Sequence, residues 1–410
     1  MIMNKEQPKN FVDTPFKYQE EIILDIVDLT NLGVGVGKLD NWVVFVPYAL
    51  VGEKVKARVY KNHTSYSQAD LVEVIEPSPD RVVPFCDKFG ICGGCQYQHL
   101  SYEKQLEFKQ KQIADLMERI AFIKMPIEKT HPSPKIQGYR SKLTPHYDKP
   151  RKDLPLDIGF IKQGRRRDIV DIPQCPIASD SINAALPAVR ARVKANAPKR
   201  KKGATILLRD TLGGVEEDNN AVAITSVGGI NYQFIAGDFF QNNPFILPEF
   251  VEYIINEARG NKYLIDAYCG VGLFSLAAAK DFQQIEGVEI SAKAIACAKV
   301  NAKINNITNA NFMIASSEEI FKQINFEGKD STVIIDPPRS GSSPEFLKQL
   351  VDFAPNKIVY VSCGPDTQAR DLIYLNAQGY KVTKMQPFDM FPQTRHIETV
   401  ATLVRSDSES

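Results

Sequence analysis

The stretch Lys357-Ile358-Val359-Tyr360-Val361-Ser362-Cys363-Gly364-Pro365 decides how the chain is read. Its apolar run, rich in β-branched and aromatic residues, predicts a buried parallel strand. Ser-Cys-Gly-Pro cannot continue a strand, and Asp366 to Gly379 has helical spacing. Cys363 is therefore expected at the carboxyl end of a central strand, where open α/β sheets bind ligands. The ordinary alternative is a small buried cysteine.

Moving outward, Asn231 onward alternates strand and helix regularly. Tyr263-Leu264-Ile265-Asp266-Ala267-Tyr268 reads as a strand that runs into Cys269-Gly270-Val271-Gly272 and a helix through Leu276. Ile285-Glu286-Gly287-Val288-Glu289-Ile290 is a second strand, with Ser291 capping the helix after it. Further strands end at Ala315, Asp336 and Cys363. Asp266, Glu289, Asp336 and Cys363 are thus expected at one sheet edge, which unrelated core residues would not share. A glycine turn after the first strand and an acid ending the second describe a nucleoside-binding doubly wound sheet. Gly270-Val271-Gly272 lacks the third glycine of the dinucleotide fingerprint, and its spacing suits S-adenosylmethionine better than NAD.

Toward the amino terminus the pattern changes. Glu21 to Pro77 reads as all-β, and Val55-Lys56-Ala57-Arg58-Val59 alternates strictly, placing Lys54, Lys56 and Arg58 on one face. Four or five short strands suggest a small barrel of oligonucleotide-binding type. It resembles a TRAM domain, an RNA-binding barrel, from Leu29-Thr30-Asn31-Leu32-Gly33 through Val51-Gly52-Glu53-Lys54-Val55. Pro77, Pro79 and Pro84 mark a linker. Cys86, Cys92 and Cys95 follow within ten residues, interleaved with glycines, in a metal-binding pattern. Cys175, followed by Pro176, is the candidate fourth ligand. Two close pairs would suit structural zinc. Three plus one leans toward an iron–sulfur cubane, with zinc as the alternative. Tyr102 to Ala121 is expected to be a helix with Ile113, Leu116, Met117 and Ile120 on one face.

The 410 residues predict two or three domains, with 43% hydrophobic and 24% charged residues as in globular proteins. Met1 to Asn10 is polar, and no apolar run reaches bilayer length, so a cytoplasmic protein without membrane association is expected. Seven cysteines, three of them clustered, point away from a disulfide framework. The net charge of +1 hides a basic middle: Lys135 to Lys202 holds 17 Lys and Arg against 6 Asp and Glu. Arg165-Arg166-Arg167 and Lys199-Arg200-Lys201-Lys202 lie there, and a phosphate backbone is their natural partner.

Five segments carry a closer resemblance: Phe239-Phe240-Gln241-Asn242-Asn243, Asp266 to Gly272, Asp336-Pro337-Pro338-Arg339, Ser362-Cys363-Gly364-Pro365 and His396-Ile397-Glu398-Thr399. In this order they resemble the RNA uracil-C5 methyltransferases, which use S-adenosylmethionine to make 5-methyluridine. The cysteine set resembles that of the iron–sulfur members. The resemblance implies an α/β fold: a Rossmann-like class I methyltransferase domain over residues 231–410, an N-terminal TRAM barrel over 17–77, and a central α+β domain over 85–230 with a [4Fe-4S] cluster on Cys86, Cys92, Cys95 and Cys175. It makes Cys363 the nucleophile and Glu398 the base. It places Gln241, Asp266, Tyr268, Gly270, Glu289, Ser316 and Asp336 around the methyl donor. A monomer acting on structured RNA is expected, ribosomal RNA ahead of transfer RNA.

That chemistry explains the residue types. A thiolate adding to C6 of uracil loads electron density onto C5, which then takes the methyl group. A base removes the C5 proton and the thiol leaves. The site is expected to lower the thiol pKa, with Arg339 as a source. Gly364 and Leu273 depart from the family pattern, which has an asparagine and a polar residue there. An adenine amino-methyltransferase would share Asp-Pro-Pro but continue with an aromatic where Arg339 stands. A non-catalytic RNA-binding iron–sulfur protein would have no use for Cys363 and Glu398.

Overall fold

A computed structural model describes residues 7–151, 154–164, 167–197, 202–316 and 319–406. Arg165, Arg166, Lys199, Arg200 and Lys201 of the two basic clusters lie outside the described residues; Arg167 and Lys202 are exposed. The chain divides into two compact units. The first comprises Met1–Phe108, Lys162–Arg165 and Gln393–Arg395; the second comprises Lys109–Ile161, Arg166–Pro392 and His396–Ser410.

Five strands close the barrel of the first unit: β1 (Glu21–Leu29), β2 (Val34–Leu39), β3 (Trp42–Pro47), β4 (Lys54–Asn62) and β5 (Tyr66–Glu76), in the order β1-β2-β3-β5-β4. Closure removes the free edges that a five-stranded sheet would otherwise expose. The alternation read from β4 holds, with Val55, Ala57 and Val59 fully buried beside Val44 and Val46. The polar face is less basic than its sequence suggests. Lys54 pairs with Glu76 at 3.4 Å, Lys56 with Glu73 at 3.5 Å and Arg58 with Glu21 at 2.6 Å, so each charge is offset locally.

Helix α1 spans Tyr102–Arg119. Ile113 and Met117 are buried as expected, but Ile120 lies beyond the helix and is 39% exposed, because the chain leaves the helical path there. In the second unit, α2 (Asp180–Asn196) packs Ile182, Leu186 and Val189 against Leu143, Tyr147 and Leu208 from two small antiparallel sheets.

Seven strands form the main sheet: β6 (Tyr263–Ala267), β7 (Gln284–Glu289), β8 (Ala310–Ile314), β9 (Ser331–Ile335), β10 (Lys357–Ser362), β11 (Tyr380–Phe388) and β12 (Glu398–Arg405). Their order is β8-β7-β6-β9-β10-β12-β11, parallel except for β12, which runs antiparallel to both neighbours. Side chains alternate between the faces. Leu264, Ile334, Val359 and Val361 join one apolar cluster with α3 (Leu247–Ala258), α4 (Leu273–Ala277) and α5 (Ala292–Ile304). Ile265, Val333, Ile335, Ile358 and Tyr360 join the other, with Ile113 and Met117 of α1 and with α6 (Pro344–Phe353) and α7 (Pro365–Ala377). Both faces are covered, which is why these strands read as continuous apolar runs. The reversal of strand order between β6 and β9 opens the crevice where such sheets bind ligands.

Candidate active site

Two groups of side chains meet at the carboxyl edge of the parallel strands. The first surrounds the turn after β6. Gly270 and Gly272 have φ of +54° and +86°, the left-handed region where glycine carries no steric cost. A Cβ on Gly272 would stand 3.0 Å from the Phe312 ring, whereas Gly270 faces open space. Tyr268 takes φ +66° without being glycine, with its ring edge-on to Phe346 at 5.3 Å. The Gly270 N–H donates to Glu289 Oε2 at 3.3 Å, and Ser291 N–H donates to Oε1 at 2.9 Å, so the acid ending β7 is oriented by the turn it faces. Ser291 also caps α5, its Oγ accepting from Ala294 N–H.

Asp266 is fully buried behind this turn. Its Oδ2 accepts from the backbone N–H and hydroxyl of Ser275 at 2.9 and 2.6 Å, while Oδ1 has no partner. Burial pushes its pKa up to about 7 against the pull of the Ser275 hydrogen bonds, and Glu289 adds to the rise. Gln241 is buried at the centre of the Phe239–Asn243 segment. Ser316, half-buried, lies just past β8. Leu273 is the first residue of α4 and is buried in the apolar cluster, so no polar side chain leaves the turn at that position.

The second group gathers at β10. Ser362 pairs with Thr399 of antiparallel β12, so Cys363 and Glu398 leave the sheet side by side. Glu398 is only 5% exposed. Asp336 follows β9, the next strand, and Arg339 comes three residues later on an exposed turn within hydrogen-bonding reach of the Cys363 thiol. The expected lowering of the thiol pKa is not what this arrangement gives. Burial pushes the thiol up to about 11, and the Glu398 and Asp336 carboxylates add to the rise, while Arg339 opposes it without overcoming it. Burial also pushes Glu398 well above the ordinary carboxylate range, and Asp336 up to about 7.

The shell beneath these groups was not legible in the sequence motifs. Thr399 Oγ1 lies 2.7 Å from Gln368 Oε1 and 3.2 Å from the Ser362 carbonyl, and Gln368 Nε2 donates to the Tyr360 carbonyl at 2.9 Å. Gln368, Thr399 and Tyr360 are all fully buried. The signal available was the helical period of α7, which brings Gly364, Thr367, Gln368 and Asp371 to the side of the helix facing the strand end.

The cysteines divide between the units. Cys86, Cys92 and Cys95 are half-buried cysteines outside any disulfide in the first unit; burial and the Cys86 charge raise the Cys92 pKa. Beside them Tyr48 meets Phe89 and His99 edge to face while those two rings tilt against each other, and Tyr48 Oη and both His99 ring nitrogens are buried without hydrogen-bond partners. Among the described residues, no three His, Cys, Asp or Glu side chains are placed to hold a metal ion. Cys175, in the second unit, has its backbone held by Asn183, which accepts from its N–H and donates to its carbonyl, both at 2.9 Å. No described helix is long and apolar enough to cross a membrane.

Comparison with known proteins bears on this geometry. Residues 214–406 match the family model for tRNA (uracil-5-)-methyltransferase, and residues 19–72 match the TRAM domain. The chain is 41% identical to the tRNA (uracil(54)-C(5))-methyltransferase of Schizosaccharomyces pombe, over 98% of this chain and 82% of that protein. It is 34% identical to the enzyme of the same name from Saccharomyces cerevisiae, over 97% of this chain and 76% of that one. In structure it is similar to the tRNA (uracil-54, C5)-methyltransferase of Pyrococcus abyssi in complex with S-adenosyl-L-homocysteine. The TM-score is 0.72 and the identity 28%, covering 93% of this chain and 100% of that one.

Proposed function

The chain belongs to the family of S-adenosylmethionine-dependent RNA uracil-C5 methyltransferases, and on that premise we propose that it methylates uridine 54 of transfer RNA through a covalent Cys363 adduct. The reading of the mechanism rests on one observation, the pairing of Ser362 with Thr399 that sets Cys363 beside Glu398. The names of the fission yeast, budding yeast and archaeal relatives support a transfer RNA over the ribosomal RNA that the sequence suggested.

S-adenosylmethionine supplies the methyl group. The backbone turn through Gly270 and Gly272 admits the donor, with Glu289 facing its ribose and Gln241, Asp266, Tyr268, Ser316 and Asp336 around it. The target base leaves its stack to reach a site this enclosed. Cys363 loses its proton and bonds to uracil C6, and the electron pair moves onto C5 and O4. C5 takes the methyl group as the donor's methyl–sulfur bond breaks and the neutral thioether leaves. Glu398 in its carboxylate form removes the C5 proton, the C5–C6 double bond returns, and Cys363 leaves. Arg339 favours the thiolate, while Glu398 and Asp336 oppose it in the RNA-free site. Proton loss from the thiol is therefore part of the barrier.

A [4Fe-4S] cluster on Cys86, Cys92, Cys95 and Cys175 is part of the same proposal. It is supported by the donor chemistry of three clustered thiols and by the orphaned polar atoms of Tyr48 and His99 beside them. When bound, the cluster would organise the loop around those thiols; no step of methyl transfer runs through it. Iron and sulfide analysis of anaerobically purified protein tests this, and stoichiometric zinc without iron would overturn it.

The substrate reading is tested with unmodified transfer RNA, a transfer-RNA variant with cytidine at position 54, and ribosomal RNA, using labelled methyl donor. Label in the first alone is expected. Label in ribosomal RNA alone would return the substrate to that alternative.

A further inference from the structure

The loop that carries Arg339 has no regular structure of its own, yet it is tied at four points. Gly341 N–H donates to the Pro338 carbonyl at 2.8 Å, closing a tight turn with Arg339 and Ser340 at its tip. The turn lies on α7, the helix that starts immediately after Cys363. Thr367 Oγ1 reaches the carbonyl of Arg339 at 3.1 Å and that of Gly364 at 2.8 Å. One turn further on, Asp371 Oδ2 accepts from Ser342 N–H at 2.8 Å and from the Tyr360 hydroxyl at 2.6 Å. Asp371 Oδ1 orients Arg370, which donates to the carbonyls of Ser340 and Ser342 at 3.1 and 3.3 Å.

The residues without side chains fit this clamp. Gly341 has φ +78°, and a Cβ there would lie 2.5 Å from Arg370 Nη2 and 2.9 Å from Asp371 Oδ2. At Gly364 a Cβ would lie 2.8 Å from Thr367 Oγ1 and 3.0 Å from the Arg339 carbonyl. The glycine that departs from the family pattern thus leaves room for the Thr367 bridge. Tyr360 and Asp371 are nearly or fully buried, and a buried carboxylate with this many donors anchors position strongly.

We propose that Thr367, Arg370 and Asp371 are positioning residues that hold the Pro338–Gly341 turn so that the Arg339 guanidinium stays against the Cys363 thiol. The charged groups facing that thiol are Arg339, Glu398 and Asp336. Arg339 alone favours the thiolate, so its placement sets how much of the thiol is reactive. The consequence for turnover rests on Cys363 being the nucleophile; the consequence for the thiol itself does not.

The test is iodoacetamide alkylation of the full-length protein across a pH series, quantified by mass spectrometry on the Cys363 peptide. Thr367→Val keeps the side-chain shape and removes the hydroxyl. It is expected to slow alkylation of Cys363 by about two- to four-fold below the thiol pKa, since higher basicity partly offsets the smaller thiolate fraction. Thr367→Ser restores the wild-type rate. In an Arg339→Met background, Thr367→Val has no further effect, because a device acting through Arg339 is non-additive with its loss. Arg370→Met, at an exposed position, gives the same pattern and keeps the test available if Thr367→Val folds poorly. Wild-type alkylation in both Thr367→Val and Arg370→Met overturns the proposal, and so does an equal slowing in the Arg339→Met background. Continued methyl transfer by Cys363→Ala would instead refute the nucleophile while leaving the alkylation result standing.

Discussion

Cys363 and Glu398 stand next to each other across an antiparallel pairing, one residue beyond the Ser362–Thr399 register, at the edge where every strand of the sheet but β12 delivers its carboxyl end. A parallel β12 would have put Glu398 at the far end of the strand. The single reversed strand is what joins two residues 35 positions apart into one site.

This neighbourhood has a cost that can be measured. Burial and two carboxylates hold the thiol pKa near 11, so the RNA-free enzyme keeps Cys363 neutral at physiological pH. Alkylation of Cys363 is expected to rise roughly ten-fold per pH unit between about pH 7 and pH 9, following the thiolate fraction. Mass-spectrometric peptide mapping reads it directly. A plateau below about pH 8 would mean that Arg339 outweighs burial.

Asp266 makes a second pH prediction, on stability. Its folded pKa of about 7 lies above the unfolded value of about 3.9. A raised carboxyl pKa means that the folded state binds the proton more tightly. The stabilisation is complete below the unfolded pKa and is lost as pH rises through about 7. Asp266→Asn has no such loss. Urea unfolding of donor-free protein at about pH 4.5 and about pH 8 should show the variant gaining on wild type by on the order of 2–4 kcal/mol between the two. An unchanged difference would place the Asp266 pKa in the normal range.

Legibility followed local pattern. The main strands could be read because burial on both faces makes them apolar runs, and the edge residues because each run ends in a polar or glycine stop. The small barrel followed from four or five short strands in a row, and the buried face of β4 from the alternation of Val55, Ala57 and Val59. Pairwise geometry could not be read. The charges of Lys54, Lys56 and Arg58 are visible in the sequence, but their carboxylate partners come from β1 and β5, set by register alone. The thiol shift was read with the wrong sign because Arg339 is a local motif residue, whereas burial and Glu398 are tertiary. The helical period places Thr367 and Asp371 toward the strand end, but what they and Arg370 hold could not be read for the same reason: on a helix they look like solvated residues until the loop they hold is placed.

Cys363→Ala separates binding from chemistry. The thiol lies two strands from the Gly270–Gly272 turn, with β9 between β6 and β10. Donor affinity by calorimetry is expected to stay within about three-fold of wild type, a change under 1 kcal/mol, while methyl transfer falls below detection. Appreciable turnover would remove the covalent mechanism.

Glu398→Gln is the sharpest test of the order of steps. The side chain keeps its size and hydrogen-bonding reach and loses its basicity. Glu398 is buried and held well above the ordinary carboxylate range; in its carboxylate form it raises the Cys363 pKa, and glutamine never carries the charge that opposes thiolate formation. Attack on C6 and methyl transfer to C5 should therefore proceed at least as readily as in wild type. Only the removal of the C5 proton lacks its base. The variant is expected to accumulate RNA joined to Cys363 with the methyl group already on C5. On a denaturing gel, label from the methyl donor should migrate in a protein–RNA band. Adding Cys363→Ala should abolish that band. If Glu398→Gln turns over at the wild-type rate and traps nothing, the proton leaves to another group, and the reversed strand that brings Glu398 beside Cys363 serves only to close the sheet.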